Sequence, residues 1–160
     1  MNHKISSSRK LILIIGLLFA NQVLAQEIQK VNWLTFEQLS DSLAIKPKKV
    51  FINFYSDWCT PCLKMDHVSY RNAVVIHKMN SEYYAVKMNV ETNDTILFGG
   101  KTYINENKNR RNPTHQIPLL MASRKDEVFS LPAIVLLNDQ FEATARYFQY
   151  LDSKQLLSIL

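Results

Sequence analysis

The sequence predicts one α/β domain in which helices flank a central mixed β-sheet. A strand, a helical segment and a second strand follow one another within residues 49–90, which is the order of a parallel βαβ unit. Two strands separated by a short polar turn within residues 132–150 predict an antiparallel hairpin. The chain has 160 residues, 47% of them hydrophobic, which suits a single domain with a substantial core.

Residues 1–25 have the pattern of a secretory signal peptide. Basic residues precede the apolar run 11–20, and Val23-Leu24-Ala25 permits cleavage before Gln26. The run is shorter than the roughly 20 residues that cross a bilayer, so an uncleaved membrane anchor is the weaker alternative. We therefore expect cleavage after Ala25 and a periplasmic or secreted mature domain of residues 26–160.

Much of the positive charge of the chain belongs to this leader. The net charge is +5 and falls to +2 without residues 1–25, which hold Lys4, Arg9 and Lys10 and no acidic residue. A mature charge this small does not favour a nucleic-acid partner. One basic cluster remains, which we interpret as a solvated loop rather than a phosphate-binding surface. It consists of Lys101, Lys108, Arg110 and Arg111, with Glu106 among them.

Residue patterns predict the elements of the first half of the domain. A helix opens at Thr35, where Gln38 completes a capping box, and it ends before Pro47. The run 49–55 is too continuously apolar for an edge and predicts a buried central strand. The elements that follow are a helix from Cys59, a break within 69–72 and a strand over 83–90.

The second half contains a long segment without clear periodicity. We interpret residues 92–127 as an insertion that is mostly loop, with a short helix around 119–121. From residue 132 onward the hydrophobic periodicity is clear again. It predicts a strand over 132–137, a turn at 138–140, a strand over 141–150 and a final helix capped by Asp152 with Gln155.

The chain contains only two cysteines, Cys59 and Cys62, three positions apart. A disulfide that stabilises an exported protein bridges distant segments, because a longer loop constrains the unfolded chain more. A bridge between these two closes almost no loop, so we interpret the pair as redox-active. A c-type haem site would need histidine at the position of Leu63, and adding His67 still leaves too few ligands for structural zinc. We therefore expect no metal and no other cofactor.

The position of the pair predicts the role of each cysteine. At the first turn of a helix after a buried strand, Cys59 faces unpaired backbone N–H groups, which stabilise its thiolate as a nucleophile. Cys62, one turn further on the same face, can resolve a mixed disulfide on Cys59. Between them, Pro61 lacks an N–H and is tolerated in a first helical turn.

Three stretches of the sequence resemble the thioredoxins in order and spacing. They are residues 51–55, Trp58-Cys59-Thr60-Pro61-Cys62 and Leu131-Pro132-Ala133-Ile134-Val135. Residues 62–66, 74–80 and 84–91 look closer to exported thioredoxin-like domains related to the C-terminal domain of the transmembrane thiol reductant transporter. The resemblance covers about residues 31–160, is weakest at 92–127, and implies a thioredoxin fold with an insertion before the cis-proline strand.

The resemblance also implies where a substrate binds. In that family a cis-proline lies beside the cysteines, and by position it is Pro132. Leu131 then offers its backbone to an extended substrate segment, as in strand addition. The alternative is an ordinary proline that starts a strand. The active-site turn consists of Trp58, Thr60 and Pro61 around the two cysteines.

At Asn53 the sequence departs from the family. Cytosolic thioredoxins carry a buried acid there that helps to move the proton of the second thiol, and asparagine cannot take a proton. Another group or water must then serve Cys62, or Asn53 is a hydrogen-bonded core residue. We expect Trp58 to pack beside the turn and Tyr55 to line it; the alternative for both is an ordinary aromatic core residue. We expect the histidines at 67, 77 and 115 to lie on helix surfaces or loops rather than to act as catalysts.

These observations predict a thiol-disulfide oxidoreductase that acts on exported proteins and is recharged by a membrane thiol donor. Reduction or isomerisation is favoured over oxidation, although the Thr60-Pro61 dipeptide does not fix the direction. A second possibility is a binding module that docks a partner through residues 92–127 and uses the cysteines as a redox latch. A copper-delivery protein would need His67 near both sulfurs. We expect a monomer.

Overall fold

The structure, a computed structural model, describes residues 29–160. The predicted signal peptide lies outside this range. In chain order the elements are β1 (Trp33–Leu34), α1 (Phe36–Ile45), β2 (Lys49–Tyr55), α2 (Thr60–His67), α3 (Ala73–Glu82), β3 (Tyr83–Asn89), β4 (Ile96–Phe98), β5 (Lys101–Tyr103), α4 (Gln116–Ala122), β6 (Ala133–Leu137), β7 (Ala143–Tyr147) and α5 (Ser153–Ile159).

The predicted mixed sheet is confirmed. Its strand order is β1-β3-β2-β6-β7, in which β1, β3 and β2 are parallel and β6 and β7 are antiparallel. Strand β2 lies at the centre, and its residues 50–54 are all buried because both faces of the sheet are covered. A strand buried on both faces carries apolar side chains at successive positions, which is the pattern of Val50 to Phe54.

Local sequence signals set the helix boundaries. Thr35 accepts a hydrogen bond from the Gln38 N–H, and the Gln38 side chain accepts one from the Thr35 N–H, which is the predicted capping box. Asp152 and Gln155 form the same arrangement at α5. The predicted break before α3 is a 3-10 turn at Ser69–Arg71.

The segment predicted as a loop-rich insertion contains more regular structure than its pattern indicated. Strands β4 and β5 form a hairpin around Gly99 and Gly100, whose positive φ angles of 58° and 74° favour glycine. Helix α4 follows, at the position of the predicted short helix. Both elements contribute to the core, since Ile96 and Ile117 are buried in the same cluster as β2.

Each face of the sheet has its own apolar cluster. One face is covered by α1, α4 and the β4–β5 hairpin, the other by α2, α3 and α5. Along β2, Ile52 and Phe54 point to the first cluster and Phe51 to the second. Within residues 29–160, no helix is long and apolar enough to span a membrane.

His115 lies in the loop before α4, and its side chain is fully buried. It caps the N-terminus of α4, where Nδ1 accepts a hydrogen bond from the Ile117 N–H at 3.2 Å. The same ring places Nε2 at 3.2 Å from the carbonyl oxygen of Asp94. Since Nδ1 must accept, the proton of the neutral ring belongs on Nε2. Burial lowers the pKa of His115. Hydrogen bonds between its ring and the backbone of Asp94 and Tyr103 act in the opposite direction and raise it.

This environment predicts a pH-dependent stability. Because the folded pKa lies below the ordinary value of about 6.5, the unfolded chain binds more protons between the two values. The free energy of unfolding should therefore fall as the pH drops through about 6.5 and level off below the folded pKa. Urea unfolding from pH 8 to pH 5 measures this effect. The variant His115→Asn, which keeps a capping side chain, should make the free energy of unfolding less dependent on pH. His77 is exposed, so the control His77→Gln should keep the wild-type dependence. Equal pH dependences for the two variants would contradict the prediction.

Candidate active site

The two cysteines lie where the buried central strand meets a helix. Cys59 is the N-cap of α2, and a disulfide joins it to Cys62 with a Cα–Cα distance of 5.2 Å. The Sγ atom of Cys59 accepts a hydrogen bond from the Cys62 N–H at 3.2 Å. A negatively charged sulfur would accept the same bond more strongly, and the helix N-terminus favours that charge.

Around the disulfide, the active-site turn is mostly exposed. Thr60 and Pro61 occupy the first two positions of α2 and face solvent, while both cysteines are only 2% exposed. Trp58 is 60% exposed, and its Nε1 donates a hydrogen bond to Glu91 Oε1 at 2.9 Å. Trp58 is therefore held beside the turn by a polar contact rather than by burial.

The Leu131–Pro132 peptide bond is cis. Ala133, the first residue of β6, lies opposite Phe54 in the ladder with β2, so Pro132 lies at the end of β2 from which the cysteine turn begins. Pro132 is buried and Leu131 is half-buried. Among the hydrogen bonds of residues 29–160, none uses the backbone groups of residues 128–131. This stretch can accept an added strand.

Asn53 is buried in β2 and does not have the hydrogen bond expected of a core amide. Its Oδ1 atom has no partner within the described range. The residue opposite it on β3 is Lys87, whose Nζ lies 2.7 Å from both carboxylate oxygens of Asp66. Asp66 follows Cys62 by four residues in α2, which places the two on one helical face. Sequence reasoning did not identify this ion pair.

Two tyrosines near this pair remain neutral. Burial raises the pKa of the Tyr55 phenol, and the charges of Asp57 and Asp66 raise it further. Burial raises the pKa of Tyr70 well above its usual value, with the charge of Asp66 as a second cause. Neither phenol can therefore act as a base near neutral pH. The Tyr55 ring also contacts the ion pair, because Lys87 Nζ lies 4.5 Å from the ring centre.

His67 is the residue that the zinc and copper alternatives would need as a ligand. It is the last residue of α2 and is exposed. No group of three or more His, Cys, Asp or Glu side chains that could hold a metal ion occurs in the part of the chain from 29 to 160. His77 is exposed on α3.

A cavity of about 330 Å³ lies beside the active-site turn. It brings together Trp58 and Leu131, two of the residues predicted from the sequence, although neither cysteine lines it. Residues 111–114 also line it, and these were predicted only as part of a solvated loop or insertion. The arrangement combines a disulfide, an adjacent cavity and a stretch of unpaired backbone.

Comparisons with known proteins agree with this geometry. No protein-family model and no curated protein matches the chain. Among solved structures, the chain is similar to the oxidoreductase DsbH, with a TM-score of 0.54 and 17% identity over 81% of each chain. It is similar to a thioredoxin from Thermus thermophilus, with a TM-score of 0.56 and 16% identity over 81% of this chain and 84% of that one. It is also similar to the oxidised C-terminal domain of DsbD from Neisseria meningitidis, with a TM-score of 0.50 and 15% identity over 76% of this chain and 85% of that one. The chain therefore has the thioredoxin fold.

Proposed function

We propose that the protein is a thiol-disulfide oxidoreductase of the cell envelope that exchanges disulfides with exported proteins. The observation that carries this proposal is the Cys59–Cys62 disulfide at the N-terminus of α2, beside cis-Pro132. A cysteine at a helix N-terminus is activated as a thiolate, and its neighbour one turn later is placed to attack it. Nothing about the stability of the fold requires a bridge between residues this close in sequence.

In the reducing direction the cycle has two steps. The Cys59 thiolate attacks one sulfur of a substrate disulfide, forming a mixed disulfide and releasing the other substrate sulfur as a thiolate. Cys62 then loses its proton and attacks Cys59, which forms the intramolecular disulfide and releases the second substrate thiol. The substrate gains two electrons from the protein and two protons, one from Cys62 and one from solvent, to which the Cys59 thiol had already lost its own. The reverse sequence oxidises a substrate dithiol.

The proposed direction is reduction or isomerisation, with a membrane thiol donor that returns the pair to the dithiol. The predicted leader 1–25 supports an envelope location, where most thiols are exposed to oxidising conditions. Leu131 and the stretch before it supply backbone groups for an extended substrate segment. An oxidase built on the same residues is the closest alternative.

Equilibration of the purified protein with glutathione and dithiothreitol buffers tests the proposal. A reduction potential near the roughly −270 mV of thioredoxin would support a reductase that needs a donor. A potential near roughly −120 mV would instead identify an oxidant that donates disulfides. A cysteine pair that does not cycle between dithiol and disulfide would overturn the proposed enzymatic function and favour the redox-latched binding module. The observation that supports this second candidate is the contribution of residues 111–114 to the cavity.

Because Asn53 cannot accept a proton, we propose that Asp66 assists the resolving step of Cys62. Its carboxylate lies one helical turn after Cys62 and is anchored by Lys87. The variant Asp66→Asn should slow resolution of a mixed disulfide by about 100-fold or more, the lower end of the range typical of a positioned proton acceptor. Stopped-flow measurement of thiol release against pH would detect the loss, and Asp66→Glu should restore part of the rate. A pH profile unchanged in Asp66→Asn would exclude this role.

A further inference from the structure

The cavity beside the active-site turn is lined by three segments of the chain. Trp58 and the loop after β3 contribute one part, and residues 128–131 before cis-Pro132 contribute another. The third part, residues 111–114, comes from the segment predicted as an insertion. The exchange chemistry of Cys59 and Cys62 does not require this third part, so its presence needs a separate explanation.

The end of the 111–114 segment is positioned through the next residue, His115, which is hydrogen-bonded to the loop after β3. The Val90 N–H donates to the Tyr55 carbonyl oxygen at 2.8 Å, which ties the loop after β3 to the end of β2. The Val90 carbonyl in turn accepts from the His115 N–H at 2.8 Å. The next residue, Glu91, holds Trp58. One loop therefore fixes Trp58 and the end of the 111–114 segment relative to each other.

The lining combines apolar side chains with unpaired positive charge. Val128 is 88% exposed, and together with Trp58 it presents apolar surface in this cavity. Arg111 is exposed and lines the same cavity, and it forms no ion pair with any residue of 29–160. Glu91, the acidic residue of the lining, keeps its charge but forms no ion pair with Arg111; its Oε1 accepts the hydrogen bond of the Trp58 ring N–H. Side chains of this kind complement a segment that is apolar at one position and acidic at another.

We infer that the cavity binds an extended segment of the substrate protein, with an apolar residue next to the reactive cysteine and an acidic residue that pairs with Arg111. This inference rests on the proposed function and names the substrate class of the same site. The stretch 128–131 supplies the backbone hydrogen bonds, and the 111–114 segment supplies the charge preference. Attack by the Cys59 thiolate then occurs on a disulfide that the cavity holds in place.

Three peptides of one sequence test the inference, each carrying a cysteine in a mixed disulfide with 2-mercaptoethanol and an apolar residue beside it. They carry Glu, Gln or Lys at the two positions beyond the apolar residue. With dithiothreitol as the donor, the wild-type protein should reduce the Glu peptide with a kcat/KM about fivefold above that of the Lys peptide, the scale of a single exposed charge contact. Added salt should reduce this ratio.

The variant Arg111→Glu should abolish or invert the ratio. Its matched control is Lys101→Glu, which makes the same charge change in β5, away from the residues that line this cavity. The control should keep the wild-type ratio. Equal ratios for all peptides in the wild type, or equal effects of the two variants, would overturn the inference. Turnover of bis(2-hydroxyethyl) disulfide by the wild type separates this failure from failure of the proposed function, because that small substrate does not depend on Arg111 for recognition.

Discussion

Replacing Cys62 by serine should convert the protein into a covalent trap for its substrates. Cys59 can still attack a substrate disulfide, but no internal thiol remains to release the product, so the mixed disulfide accumulates. Multiple turnover should fall by about three orders of magnitude or more, as it does when one member of a catalytic unit is removed. Non-reducing electrophoresis and mass spectrometry of envelope extracts would identify the adducts and the cysteine that carries them.

The matched variant Cys59→Ser should form no such adducts. Exposure does not distinguish the two cysteines, since both are 2% exposed in the disulfide form. The distinction comes from the backbone: Cys59 is the N-cap, and its sulfur accepts the hydrogen bond that the Cys62 N–H donates. A helix N-terminus stabilises the thiolate of the residue that faces its free N–H groups. Adducts on Cys62 in the Cys59→Ser variant would reverse the assigned roles.

Elements specified by adjacent residues could be predicted from the sequence. The capping box at Thr35 and the continuous apolar run of β2 each depend on a few neighbouring positions, and both match the structure. The cysteine spacing belongs to the same class, because three residues on a helix bring two side chains to one face. These signals sufficed for the parallel β2–β3 unit and for the place of the cysteine pair at the start of α2.

The β4–β5 hairpin was not predicted, although its signal is visible in the sequence. Gly99-Gly100 separates two runs of three residues, a spacing typical of a tight hairpin. Strands this short acquire their stability from packing, here from Phe98 against Phe36 of α1 at a ring distance of 5.2 Å. That contact joins positions far apart in the chain, so the local pattern alone resembled a loop.

The contacts of the polar residues in the site could not be predicted from the sequence either. Lys87 and Asp66 meet because the register of β3 on β2 places Lys87 beside Asn53, under α2. Arg111 reaches the cavity because His115 is tied to the loop after β3. Both arrangements depend on register and on loop closure, neither of which has a signature in neighbouring residues. The unpaired Oδ1 of Asn53 likewise becomes evident only when its surroundings are known.

Replacing Ile117 by alanine should lower the free energy of unfolding by about 2–5 kcal/mol. Ile117 lies in α4, inside the segment 92–127 that the sequence pattern marks as an insertion, yet it is 1% exposed and belongs to the cluster that covers β2. Removal of its side chain leaves a cavity that the surrounding strand and helices cannot fill completely. Urea unfolding followed by circular dichroism measures the loss, with the disulfide kept oxidised throughout.

Leu120→Ala provides the matched control on the same helix. Leu120 is 69% exposed, so its truncation should change the free energy of unfolding by no more than about 0.5 kcal/mol. A large difference between the two variants would mean that 92–127 is part of the core that supports β2, and that deleting the whole segment would unfold the domain rather than remove a docking surface. Small effects from both would instead mean that the segment is a separable addition, and a deletion could then test partner binding directly.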